Sequence, residues 1–138
     1  MNTAQKFYIA GSFKDIPLIN QIAFRLTTAG FTCTYDWTVN REPVTLDDLH
    51  DIADKEYTGI AACDYFVFVF PGGKGANIEF GIATALGKPI YLYDPTRATE
   101  TPATTSTFYR MDHVHRYHGS VAEFAQFILN NESNSTTK

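Results

Sequence analysis

Seven consecutive residues, Asp64-Tyr65-Phe66-Val67-Phe68-Val69-Phe70, constrain the fold of this chain more than any other segment. After one carboxylate the run is wholly apolar or aromatic, with none of the polar alternation of a strand that has one wet face. Such a segment needs cover on both sides, which crossover helices give to a central strand of a parallel sheet. Pro71-Gly72-Gly73-Lys74-Gly75 breaks it. Strand-like and helix-period segments alternate on either side. Phe7-Tyr8-Ile9-Ala10 predicts a strand closed by Gly11-Ser12. Ile16, Ile19, Ile22, Ala23 and Leu26 predict a helix that Gly30 stops. Phe31 to Tyr35 predicts a second strand ending at Asp36-Trp37, and Pro43 marks a loop from Asn40 to Val44. Thr45 and Asp48 form a capping box that opens a second helix, with apolar positions at Leu46, Leu49, Ile52, Ala53 and Ile60. A third helix is expected from about Asn77 to Leu86, and a fourth strand from Pro89 to Tyr93. Asp94 to Thr107 reads as a long loop and His113 to Tyr117 as a short edge strand. Ser120 and Glu123 make a second capping box, opening a last helix through Leu129.

This alternation predicts an α/β three-layer sandwich, flavodoxin-like or Rossmann-like, with about five parallel strands and helices on both faces. With 138 residues, 44% of them hydrophobic, the chain supports one domain, read as residues 1–130, followed by a polar, frayed tail over 131–138. Eleven Lys and Arg against fifteen Asp and Glu disfavour a nucleic-acid polymer as partner, which would need a surplus of cations. No apolar run is long enough to span a membrane, and no signal-peptide core follows Met1, so a cytoplasmic protein is expected. Cys33 and Cys63 lack CxxC spacing.

In open α/β sheets, ligands sit beyond the carboxyl ends of the strands. The loops there are Gly11-Ser12-Phe13, Asp36-Trp37, Pro71 to Gly75 and Asp94 onward. Two carboxylates also stand out. On a helical wheel Glu56 falls in one arc with Leu49, Ala53 and Ile60, inside the stripe expected to be buried. Either it reaches a cation such as Lys55 or Arg97, or it faces a pocket with a raised pKa. Glu79 shares a face with Ile82, Ala83 and Leu86, just after a glycine-rich turn. A helix dipole would hold it ionised, as a carboxylate nucleophile must be. The turn lacks a GK[ST] ending, and neither GxGxxG nor GxSxG is present, which disfavours nucleoside triphosphatases, dinucleotide binders and that class of serine hydrolase. His113, His115 and His118 read as a solvated edge more readily than as a metal site.

Phe7 to Phe13, Asp64, and above all Gly75-Ala76-Asn77-Ile78-Glu79-Phe80-Gly81-Ile82-Ala83-Thr84-Ala85-Leu86-Gly87-Lys88-Pro89-Ile90 resemble the nucleoside 2-deoxyribosyltransferase family. That family includes the deoxynucleoside 5′-monophosphate N-glycosidases. The resemblance implies that Glu79 is the nucleophile toward C1′ of a sugar, and that Glu56 stands where the family has an Asp that handles the base proton or orients the sugar. It places Tyr8 in the pocket and Gly11 and Ser12 at the 5′ end of the ligand. It also implies a homodimer or higher oligomer in which Ser106-Thr107-Phe108 of a neighbour completes the site. The remaining substrate-binding set is Phe13, Asp36, Trp37, Gly72, Gly73, Gly75 and Asn77, with no metal or organic cofactor. Two departures stand out: Glu56 in place of Asp, and Gly73 where the transferases have Asp and the monophosphate hydrolases Ser. The glycine turn also looks like the PGGxGTxxE signature of cytokinin-activating phosphoribohydrolases, without their second motif. The expected activity is cleavage or transfer of the N-glycosidic bond of a nucleoside or nucleoside 5′-monophosphate. The alternatives are a nucleotide-binding module of the same fold that has lost turnover and, more remotely, an interaction domain without a receiver's acidic pair.

Overall fold

The apolar run does become the middle of the sheet. In the computed structural model, which describes residues 5–40, 42 and 45–136, every residue of β3 (Tyr65–Val69) is buried. β1 (Lys6–Ala10), β2 (Thr32–Cys33), β4 (Ile90–Tyr93) and β5 (Val114–Tyr117) complete a five-stranded parallel sheet in the order β2-β1-β3-β4-β5. This is the flavodoxin-like order, whose direction reverses between β1 and β3. The helices are α1 (Ile16–Thr28), α2 (Leu46–Ala62), α3 (Lys74–Ala85) and α4 (Val121–Thr136). α1 packs with α4 and α2 with α3, one pair for each face of the sheet.

Strand periodicity then decides what each helix pair meets. Tyr65 stacks on Phe7, meets Tyr91 edge-on, and Tyr91 in turn meets Phe127 of α4. The alternate residues face the other way: Tyr8 stacks on Phe66, and Phe68 packs against Phe80 of α3. Tyr8 therefore points into the α2/α3 layer.

Both predicted capping boxes form. Thr45 and Asp48 exchange side-chain and backbone bonds at the start of α2, and Ser120 and Glu123 do the same before α4. Several boundaries differ from the sequence reading. The second strand is two residues long, because after the Thr34 amide bonds Phe7 the chain leaves the ladder and the Thr34 hydroxyl turns to Gly59. α3 begins at Lys74, with Gly73 as its N-cap, so Gly75 lies inside the helix. α4 passes Leu129 and reaches Thr136, where a frayed tail was expected. The cause is Glu132, a buried carboxyl that accepts from the Tyr91 hydroxyl at 2.6 Å and from the Gln5 amide at 3.2 Å. The segment read as a long loop contains a 3-10 turn, Ala98–Glu100, and a second, Thr107–Arg110, begins at its last residue. Buried Asp94 orders the first by accepting from the backbone and hydroxyls of Thr96 and Thr99. Among the described residues no helix is long and apolar enough to cross a membrane.

Candidate active site

α2 turns a different face to the sheet than its wheel suggested. Leu49 and Ala53 are exposed, while Ile52 and Glu56 are half-buried and Gly59 and Ile60 buried. Glu56 faces inward as the wheel placed it, and its partner there is neither Lys55 nor Arg97. Its carboxyl hydrogen-bonds that of Glu79, which arrives from the second turn of α3. From the sheet, the fully buried Tyr8 donates its hydroxyl to Glu79 Oε2 at 2.9 Å. Two carboxyls and a phenol from three separate elements thus meet beside the strand where the sheet order reverses.

The ionisation state differs from the sequence reading. Desolvation first, then the charge and hydrogen bond of Glu56, push the Glu79 pKa up to about 8; the Tyr8 bond opposes them. Burial raises Glu56 as well, against the bond from Glu79. Burial and the two carboxylates hold the Tyr8 phenol far above its ordinary range. The helix dipole expected to keep Glu79 charged acts over the first turn of a helix, and Glu79 lies beyond it. Each carboxylate opposes the ionisation of the other, so the pair gives up its last proton less readily than an isolated carboxyl would.

The other expected site residues fall into three groups. Around the glycine turn, Gly72 adopts φ +68°, and a Cβ there would lie 2.9 Å from the Phe68 ring. Gly73 is exposed, with open space where a Cβ would go. The Asn77 amide donates to the carbonyls of Pro71 at 3.1 Å and Gly73 at 2.8 Å and accepts from the Tyr109 hydroxyl. It fixes the turn to α3. After β1, a Cβ on Gly11 would meet Ile19 Cδ1 at 2.7 Å, so this glycine lets α1 close on the sheet. Ser12 caps the following 3-10 turn by accepting from the Lys14 amide at 3.3 Å. Phe13 is exposed and sets its ring against the edge of Trp37.

The third group is held by contacts of its own. Trp37 is a core residue whose indole donates to the Ile9 carbonyl at 2.7 Å. Asp36 caps its own turn through the Thr38 amide and hydroxyl, and lines a cavity of about 250 Å³ on the α1 face with Asn20, Phe24 and Cys33. Ser106 caps the turn that carries the exposed Phe108. The three histidines part company: His113 bonds Thr84, His115 stacks on Tyr91, and His118 bonds Asp94 and Glu100.

Two contributors escaped the sequence reading. Tyr109 is buried among Phe68, Phe70 and Phe80 and ties the 107–110 turn to Asn77. Gly59 brings α2 close to Tyr8; its only signal was a glycine three positions after Glu56 in a helix interior.

Neither a protein-family model nor a curated protein sequence matches the chain. Among solved structures, the 2-deoxyribosyltransferase of the psychrotolerant bacterium Bacillus psychrosaccharolyticus aligns with TM-score 0.67 at 18% identity, covering 87% of this chain and 90% of that one. The Clostridium botulinum CMP N-glycosidase BcmB aligns with TM-score 0.58 at 19% identity, covering 90% of this chain and 98% of that one. The chain has the fold of these two proteins.

Proposed function

We propose that this chain cleaves or transfers the N-glycosidic bond of a nucleoside or nucleoside 5′-monophosphate, with Glu79 as nucleophile and Glu56 as its acid–base partner. The single observation that carries this reading is the half-buried cluster in which Tyr8 donates to Glu79 and the Glu79 carboxyl hydrogen-bonds that of Glu56. A retaining displacement at C1′ needs one charged carboxylate and one carboxylic acid at the same moment. Two coupled carboxyls with one proton supply that combination at neutral pH without a metal or an organic cofactor. As the base departs with the bonding electron pair, Glu56 delivers a proton to its nitrogen and Glu79 bonds C1′ as a glycosyl ester. Water, or an acceptor base, then attacks C1′. Glu56, now a carboxylate, takes the incoming group's proton, and Glu79 leaves as a carboxylate. Tyr8 steadies the charged form of Glu79 throughout. Ser12 and the backbone amides after Gly11 would receive the 5′ end of the ligand, and the exposed ring of Phe13 a flat base. The fold shared with a 2-deoxyribosyltransferase and a CMP N-glycosidase supports the same bond class.

Base release from a panel of nucleosides and 5′-monophosphates, with and without an acceptor base, tests this reading. Wild-type protein is expected to release base, and Glu79→Ala and Glu79→Gln to lose on the order of 10³-fold or more of the rate. A glycosyl adduct on the Glu79 peptide is expected by mass spectrometry after acid quench. Full activity in both variants removes Glu79 from the chemistry.

A specific observation favours a second reading, a binding module without turnover: no side chain occupies position 73, beside the turn that precedes Glu79. Tight nucleotide binding with no base release on long incubation would select it.

A further inference from the structure

We infer that Gly59 is a positioning residue: by carrying no side chain where α2 crosses β1, it sets the distance at which Glu56 meets Glu79. Gly59 lies in the interior of α2, where glycine costs about 1 kcal/mol relative to alanine, and it does not adopt a left-handed backbone that would require glycine. Closeness is the reason that remains. A Cβ at this position would stand 3.0 Å from Tyr35 Cβ, 3.2 Å from Thr34 Oγ1 and 3.2 Å from Tyr8 Cδ2. The helix is also hooked down at this residue, since the Thr34 hydroxyl donates to the Gly59 carbonyl at 2.8 Å.

The geometry links this contact to the carboxyl pair from both directions. Glu56 is one helical turn before Gly59 and shares its inward face. The Tyr8 ring that a methyl would strike is the ring whose hydroxyl holds Glu79. A methyl at position 59 therefore drives Tyr8 one way and α2, with Glu56, the other, so both partners of Glu79 move at once. The groups acting on Glu79 are Glu56 from α2 and Tyr8 from β1, with Tyr35 standing next to Tyr8. The inference rests on Glu56 and Glu79 being the working pair, and its test needs no turnover.

Carboxyl-carbon NMR titrations of wild type, Gly59→Ala, Thr34→Val and Thr34→Ser provide it. In Gly59→Ala and Thr34→Val the upper of the pair's two apparent pKa values is expected to fall by roughly 0.5 or more. Thr34→Ser keeps the hydroxyl that holds the helix and is expected to titrate like wild type. In a Glu56→Gln background that fall is expected to disappear, and any shift left is expected to be upward, because it is made through the Tyr8 bond that lowers the Glu79 pKa. If Gly59→Ala fails to fold, the two Thr34 variants still decide. Wild-type titration in Gly59→Ala and Thr34→Val, or an undiminished fall on Gly59→Ala without Glu56, overturns the inference whatever the enzyme turns over. The expected titrations in a protein that releases no base would sink the catalytic reading alone and leave Gly59 in its role.

Discussion

Glu79 binds its proton more tightly than an exposed carboxyl because water has been taken from it and a second carboxyl put beside it. Between the ordinary carboxylate range and about pH 8, the folded chain holds a proton that the unfolded chain has released. The stability associated with Glu79 is therefore fully present below its ordinary pKa and is lost as pH rises through about 8. In that window the decline is at most about 1.4 kcal/mol for each tenfold fall in proton concentration. Glu79→Gln is expected to flatten this decline in denaturant melts from pH 5 to 9. A smaller slope of the same sign remains from Glu132, whose pKa burial also raises. Tyr8→Phe acts in the opposite sense. Removing the hydroxyl deletes the one bond that favours charged Glu79, so its pKa moves above 8. Base release is then expected to fall by roughly tenfold at pH 7 and to recover toward alkaline pH, with about 1 kcal/mol or less lost in stability. A pH profile identical to that of wild type would separate Tyr8 from the ionisation of Glu79.

At the scale of elements, the turn between β3 and α3 brings two adjacent glycines with different duties. Gly72 is held at positive φ against the Phe68 ring and is not replaceable without strain. Gly73 has extended backbone that any residue adopts, sits at the N-cap of α3, and has open space around it. Gly73→Ser is therefore expected to fold with a gain of a few tenths of a kcal/mol from capping. If the missing polar group limits the chemistry, base release rises as well, so melting curves and rates of this one variant test both halves. The same turn shows what a sequence reveals and what it hides. The β3 run and the boxes at Thr45 and Ser120 were legible, because each rests on neighbours within a few residues. The start of α3 and the end of α4 were not, because they depend on Asn77 bridging to Pro71 and Tyr109 and on Glu132 reaching Tyr91 and Gln5. Glu56 and Glu79 could be singled out as carboxylates on apolar faces. Their contact with each other could not, since it arises only where α2 and α3 pack together.

For the molecule as a whole, the unusual surface is the helical layer that carries these carboxyls. Leu46, Leu49 and Tyr57 of α2 are exposed, at 82%, 50% and 50%, and Ile78 of α3 is exposed at 60%. The two helices are packed neighbours, so large apolar side chains stand on both members of one layer, an arrangement monomers seldom leave to solvent. A second copy of the chain covering this layer would also shield the carboxyl pair from water, raising the strength of every charge interaction around it. Phe108 stands exposed on its turn, at 64%. Sedimentation of the wild-type chain is expected to give a dimer or a larger closed assembly. Leu49→Glu sets a charge on the apolar face without entering the core, so it is expected to shift the chain to monomer while far-UV circular dichroism stays the same. Base release from that monomer is expected to fall by about tenfold or more, and the Glu79 titration to move toward the ordinary carboxylate range as water returns. A monomeric wild type with full activity would show that each chain completes its own site, and would leave these apolar side chains without a role in the chemistry.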